Sequence, residues 1–322
     1  MKKFTKVFDK RNGGGVLVLS SILALSLMFA SCANNSDSDD RNPENPSPSL
    51  PANVGTNPVK KTIKLKHSDY ATLVMKTDGK AEYYDDDELE YVFKYTWDTT
   101  KKEIYMALEK NAYWNMGGKS QLLTYDQILS KIKEDYTVEN MRNYNRTYYE
   151  EIKGKDWFKD EYPDCDTYEK FEKAFIEDMG CSSFEDFVKT AKQEDENSCK
   201  AMFGALITFS YEVNENDKIT LTEKFTGVKN FLLYETCHYD KDETTVNIEY
   251  SKGVSISRMV NGKREYWDGE FGADNNIEFE NYDSEDKKIG SYTEDIAEET
   301  VTVSFDGKDY DCKFISQKFI QE

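Results

Sequence analysis

The chain has 322 residues, with 62 acidic side chains against 42 basic ones and a formal net charge of −20. Nucleic acid is excluded as a partner, because binding to its phosphates is driven by basic side chains that displace counterions. The same charge opposes a body lying flat on anionic lipid.

Residues 1–31 fall into three parts. Lys2, Lys3, Lys6, Lys10 and Arg11 face a single acid, Asp9. Val16 to Ala30 follows, apolar apart from Ser20, Ser21 and Ser26. A helix of about 15 residues reaches ~22 Å, short of a hydrocarbon core of ~30 Å. Small residues end the run. This is the pattern of a secretory signal peptide rather than of a spanning helix. The exit, Phe29-Ala30-Ser31-Cys32, resembles the lipobox of bacterial lipoproteins, with Phe29 where Leu is usual. The resemblance covers the leader alone. It implies cleavage before Cys32 and attachment of acyl chains such as palmitate to Cys32, which anchor the protein to a membrane of the cell envelope. Two or three chains hold firmly where one is marginal. Ala33 stands where Asp would signal inner-membrane retention, so the resemblance points to the outer membrane or the cell surface. Losing five bases and one acid with the leader takes the net charge from −20 to −24.

Residues 32–60 read as the lipidated cysteine and a disordered tether. Five of the six prolines, Pro43, Pro46, Pro48, Pro51 and Pro58, lie here among Asn, Asp and Ser. Such a segment cannot bury enough apolar surface to offset its ordering entropy. It would span ~30 Å as a coil and ~85 Å as polyproline.

Residues 61–322 read as one β-rich domain with a helical insertion at about 122–203. Thr77-Asp78-Gly79-Lys80 signals a hairpin of type I′. In the next strand Tyr91, Phe93, Tyr95 and Trp97 alternate onto one face, and Ile104, Met106 and Leu108 alternate in its partner. After the helical block the alternation resumes at Ile207, Phe209, Tyr211 and Val213, then Ile219, Leu221 and Phe225, then Val246, Ile248 and Tyr250. Asn261-Gly262 and Asp306-Gly307 predict two-residue hairpins, the second setting Val301, Val303 and Phe305 opposite Tyr310, Cys312 and Phe314. No helical crossover separates these strands, so the sheet is expected to be an antiparallel meander, closed as a barrel or stacked as a sandwich. The fold class expected is α+β.

Within the insertion, Thr124-Tyr125-Asp126-Gln127 is a capping box. Ile128, Ile132 and Tyr136 follow at helical spacing, and Met141, Tyr144, Tyr148 and Ile152 form a second stripe. The phrases from Cys165 to Lys173 and from Cys181 to Lys189 repeat each other. They read as two helices sharing a cap and buried aromatics, or else as a duplicated partner motif.

The β blocks are similar to lipocalin-like (calycin) meanders of some bacterial lipoproteins. Two departures stand out. The Gly-x-Trp signature is missing, and helices interrupt the meander instead of following it. The resemblance implies a barrel whose interior holds a small apolar or sugar ligand. Tyr91, Phe93, Tyr95 and Trp97 are the pocket candidates, with Trp97 near the mouth. The plain alternative is that these rings are core.

Five cysteines remain in the body, an odd number, with Cys165–Cys181 and Cys237–Cys312 as possible pairs. Cys237 and His238 are neighbours in a strand, so they point to opposite faces and cannot form a nucleophile–base dyad. Asp85-Asp86-Asp87-Glu88 and Asp240, Asp242 and Glu243 lack the alternating ligands and the glycine of a calcium loop. No motif for a cofactor, a metal or an enzymatic activity is present. The expectation is a non-enzymatic binding module on a lipid anchor. The alternatives are a surface adhesin or assembly lipoprotein meeting a protein or glycan, and a glycan or lipid hydrolase.

Overall fold

The computed structural model describes residues 46–68, 70–114, 120–228, 237–249, 253–282, 284 and 286–322. The leader and Cys32 lie outside the described residues. Among the described residues no helix is long and apolar enough to cross a membrane. The chain divides into two compact units, one holding residues 43–112, 122–125 and 200–322, the other residues 113–121 and 126–199.

The strands belong to the first of these units, apart from residues 113–114 and 120–121. They are β1 (Ile63–Lys66), β2 (Ala71–Met75), β3 (Lys80–Asp85), β4 (Glu88–Asp98), β5 (Glu103–Trp114), β6 (Ser120–Leu123), β7 (Leu206–Val213) and β8 (Ile219–Glu223). Then come β9 (Cys237–Lys241), β10 (Thr244–Glu249), β11 (Gly253–Val260), β12 (Lys263–Phe271), β13 (Asn276–Asn281), β14 (Lys287–Asp295), β15 (Thr300–Phe305), β16 (Lys308–Phe314) and β17 (Lys318–Gln321). The pattern of alternation suggested one meander, but the strands close two antiparallel barrels of eight. The first runs β1-β2-β3-β4-β5-β7-β8-β17 and returns to β1, with β6 added on β5. The second runs from β9 through β16 and back to β9. Alternation marks a strand as half-buried without saying which ring it joins.

Both interruptions of the first barrel fall between neighbouring strands. The helices lie between β5 and β7, which pair directly, Ile104 opposite Phe209. The whole second barrel lies between β8 and β17, which also pair, Leu221 opposite Phe319. Eight strands leave an interior just wide enough for side chains to fill. In the first barrel Leu65, Leu73, Met75, Phe93, Phe209, Leu221 and Phe319 are fully buried. Val246, Ile248, Val254, Ile256, Phe279, Val301, Val303 and Phe305 form the core of the second. Val213, expected to continue the buried face of β7, is exposed at its end.

Asn261-Gly262 and Asp306-Gly307 have positive φ at both residues, as type I′ requires. Asp86-Asp87 and Asp242-Glu243 adopt the same conformation. The two acidic runs are therefore tight turns, where short polar side chains tolerate the left-handed region. At Asp78-Gly79 only Gly79 is left-handed, so this hairpin is not type I′. In the second barrel a Cβ at Gly269 or Gly290 would stand 2.6 or 2.7 Å from the Phe279 ring, which occupies the space those two glycines leave.

The other unit is helical: α1 (Tyr125–Asp135), α2 (Val138–Ile152), α3 (Asp156–Glu161), α4 (Tyr168–Asp178) and α5 (Phe184–Gly204), the last continuing into the strand unit. α1 starts at the residue after Thr124, where the capping box placed it. Ile128, Ile132 and Tyr136 are buried, as are Met141, Tyr148 and Ile152. The repeated phrases become two capped helix starts. Thr167 accepts from Lys170 N at 3.4 Å and Ser183 from Asp186 N at 3.1 Å. Tyr168, Phe171, Phe184 and Phe187 are all buried. Arg142 of α2 holds both phrases, bonding Glu172 at 3.0 Å and Glu185 at 3.4 Å while lying 4.8 Å over the Phe184 ring.

No disulfide joins Cys165 to Cys181 or Cys237 to Cys312. For the second pair the register explains it. Cys237 faces Phe314, so Cys312 is its diagonal neighbour. Diagonal positions stand ~7–8 Å apart, beyond the reach of a disulfide.

Candidate functional site

The aromatic strand lies where the barrel reading needs it. The register of β4 with β5 shifts between Val92 and Phe93, where β5 carries Glu109 as an extra residue; β4 itself carries none from Tyr91 to Trp97, so its four rings keep one face. Phe93 and Tyr95 are buried at its centre, while Tyr91 and Trp97 are half-buried towards its ends. Tyr91 packs 5.6 Å from Tyr83 and 5.9 Å from Phe93, and Tyr95 packs 6.1 Å from Trp97.

A stretch of chain before β1 lies alongside the end of β4 at Trp97. Residues 53–59 belong to the stretch read as a free tether, yet they are fastened to the barrel. Val54 N donates to Trp97 O at 2.9 Å, and Thr99 N donates to Val54 O at 3.1 Å. Trp97 N donates to Asn53 Oδ1 at 3.2 Å, and the indole Nε1 donates to Gly55 O at 3.1 Å. Asn57 Nδ2 reaches Tyr95 Oη at 3.4 Å, and that hydroxyl donates to Lys76 O at 2.5 Å. Val59 is buried. Gly55 is required here, since its φ is +78° and a Cβ would stand 2.0 Å from Thr99 Oγ1. Polar composition predicts a coil, but the strap's backbone pairs with Trp97 and Thr99, and its own Asn53 and Asn57 amides bond Trp97 N and Tyr95 Oη.

An open cup would leave its lining wet. Here the inward rings are dry at the centre, and Tyr95 and Trp97 give their polar atoms to the chain rather than to open space. Burial raises the Tyr95 hydroxyl above its ordinary range.

Three further groups lie outside the expected set. On the second barrel stands Arg258, whose side chain is 11% exposed. It bonds Asp306 at 2.7 Å and lies 4.9 Å over the Phe305 ring. Lys288 joins Asp306 at 2.7 Å and sits 4.9 Å from the Trp267 ring. In the helical unit Tyr136 donates to Asp195, and Tyr113 donates to Asp135 at 2.9 Å. Glu194 beside them is 9% exposed, and its Oε1 has no partner. Burial, with the neighbouring Asp195, pushes the Glu194 carboxyl up to about 8, and burial raises Asp195 to about 6. The third group is Glu223, the last inward residue of β8, which is buried with Oε2 unpartnered. Burial raises it to about 8.

The sequence holds a trace of the acids. Glu223 continues the inward phase of Ile219 and Leu221, and Glu194 and Asp195 fall on the stripe of Phe184, Phe187, Val188 and Ala191. An acid standing in an apolar phase is the signal. His238 turns outward to Asn247 Oδ1 at 2.5 Å while Cys237 is buried inward, as the strand period requires. Among the described residues no group of three or more His, Cys, Asp or Glu side chains could hold a metal ion. Comparison with known protein families, with curated proteins and with solved structures finds no match for this chain.

Proposed function

We propose that this chain is a lipoprotein of the cell envelope, anchored through Cys32, that works as a non-enzymatic binding protein through the outer surfaces of its barrels. The observation that carries the reading is the dry interior of both rings, together with the strap fastened along Trp97. A barrel filled to its axis is a rigid stand, and what it presents is its outside. Eight antiparallel strands closing in near-sequential order support a lipocalin-like description of each ring, without the open cup. Packing favours a protein or glycan partner over a small apolar or sugar ligand, and the hydrolase reading gains no support. With residues 53–59 fastened to the barrel, 21 residues from Cys32 to Ala52 join the proposed anchor to that point, at most ~75 Å of chain.

Two measurements test this. Tryptophan emission should stay unchanged while fatty acids and oligosaccharides are titrated, and a saturable shift quenched by Trp97→Ala would restore the ligand cup. Metabolic labelling with a fatty acid should mark the wild type but not Cys32→Ala. Label on the variant would remove the anchor from the proposal.

A further inference from the structure

The chain passes between the two barrels twice, by residues 224–236 outward, of which 224–228 are described, and by residues 315–317 on the return. The two passes lie side by side. Glu223 N donates to Gln317 O at 2.8 Å, and the Phe225 and Phe314 rings stand 5.4 Å apart. Phe225 and Val228 belong to the core of the second barrel, while Leu221 and Phe319 belong to the first. Among the described residues the joint is therefore buried core, and one carboxyl group stands in it.

We propose that this joint is a protonation-dependent hinge, closed while Glu223 is neutral and loosened when it ionises. Glu223 is 3% exposed, and its Oε2 has no partner. On β7 it faces Phe209. On the return pass it faces Gln317, which is neutral. From the second barrel it is sensed by the buried thiol of Cys237, which also senses Glu294 and Cys312. Glu294 is an acid that accepts from Val228 N at 2.6 Å. The adjacent Lys224 turns its amine to Glu103 at 2.5 Å, and Lys318 is exposed. Among the described residues no cation meets the carboxyl. A carboxylate left without water or a counter-charge is costly, so loss of the proton to solvent favours whatever motion lets water in.

The sign follows from linkage. The closed joint holds the proton up to about pH 8, whereas an opened, wet joint releases it near the ordinary carboxylate value. Opening therefore grows about tenfold per pH unit between these limits and levels off above the upper one.

Cys237 reports the motion, since it is fully buried when the joint is closed. The experiment compares maleimide labelling of Cys237, read by peptide mass mapping, in the wild-type chain and in Glu223→Gln from about pH 5.5 to about pH 7.5. Taking the ratio of the two rates at each pH cancels the pH dependence of the thiol chemistry. The ratio should rise about a hundredfold over that span. A ratio that stays flat overturns the proposal. Should Glu223→Gln fail to fold, a carbon-13 titration of the Glu223 carboxyl in the wild type decides: a midpoint near 8 supports the hinge, and one in the ordinary carboxylate range overturns it.

Discussion

Phe93→Ala separates a packed barrel from a ligand cup. Phe93 is 0% exposed at the centre of β4, and its cross-strand neighbours are Ala81 on one side and Leu108 on the other. Ala81 has no side chain able to lean into the space, and a closed ring of strands cannot collapse as an open sheet can. The loss should therefore lie in the upper part of the range for deleting a buried phenylalanine, ~4–5 kcal/mol. Trp97→Ala should cost less. It removes one hydrogen bond to the strap, worth ~1 kcal/mol, and about half the burial of a large ring, for a total of ~2 kcal/mol. The helical unit and the second barrel have their own cores, so a single melting curve would mix their transitions. Hydrogen exchange of the β4 amides reads the first barrel directly. The packed interior is refuted if Phe93→Ala costs under ~1 kcal/mol, the behaviour of a ring lining an empty pocket.

Gly55→Ala should release the strap, because the new methyl meets Thr99 Oγ1 and the backbone is left-handed; faster proteolysis between residues 46 and 58 checks it, with the barrel amides still protected. Gly290→Ala places a Cβ 2.3 Å from the Ser304 carbonyl and 2.7 Å from Phe279, so it should destabilise the second barrel by ~1–3 kcal/mol, seen in faster hydrogen exchange of the β13 and β14 amides. Glu194 and Asp195 keep protons when folded that they lose when unfolded, so they make the helical unit most stable in acid. That stability should fall as pH rises to about 8 and then level off. Exchange of the α5 amides should show the fall, and Glu194→Gln should flatten it.

Much of the sheet was legible because side chains alternate in direction along a strand, even where, as at Tyr105 and Ala107, the outward ones are also covered. Ile104, Met106 and Leu108, and Val301, Val303 and Phe305, face inward as their spacing demands. The hairpins at Asn261-Gly262 and Asp306-Gly307 were legible because few residues accept a positive φ. Ring closure was not. β17 could be assigned to β1 and β8 only by three-dimensional pairing across long stretches of chain. The strap was missed for a related reason: its hydrogen bonds are made to β4, and composition records only what a segment can do alone. The aromatic strand was found, but its neighbours decide whether the four rings line space or fill it. The lone acids were visible as breaks in apolar phase, yet nothing in the sequence says whether such a break meets a cation or stays bare.

The nesting of the second barrel inside the first imposes an order of assembly. β8 and β17 are separated by residues 224–317, and β17 also completes the pairing of β1. Until that last strand has emerged, seven strands of the first barrel can form only an open sheet with two bare edges, the form most prone to pairing with another chain. The second barrel is complete in the chain before then. Once folded, it holds residues 225 and 314 within ring contact and so brings the start of β17 beside the end of β8. The closure of a loop of almost a hundred residues becomes a local step of a few residues. The inner barrel thus sets the clock of the outer one, and damage to its core should appear first as slow, aggregation-prone closure of a barrel it does not belong to.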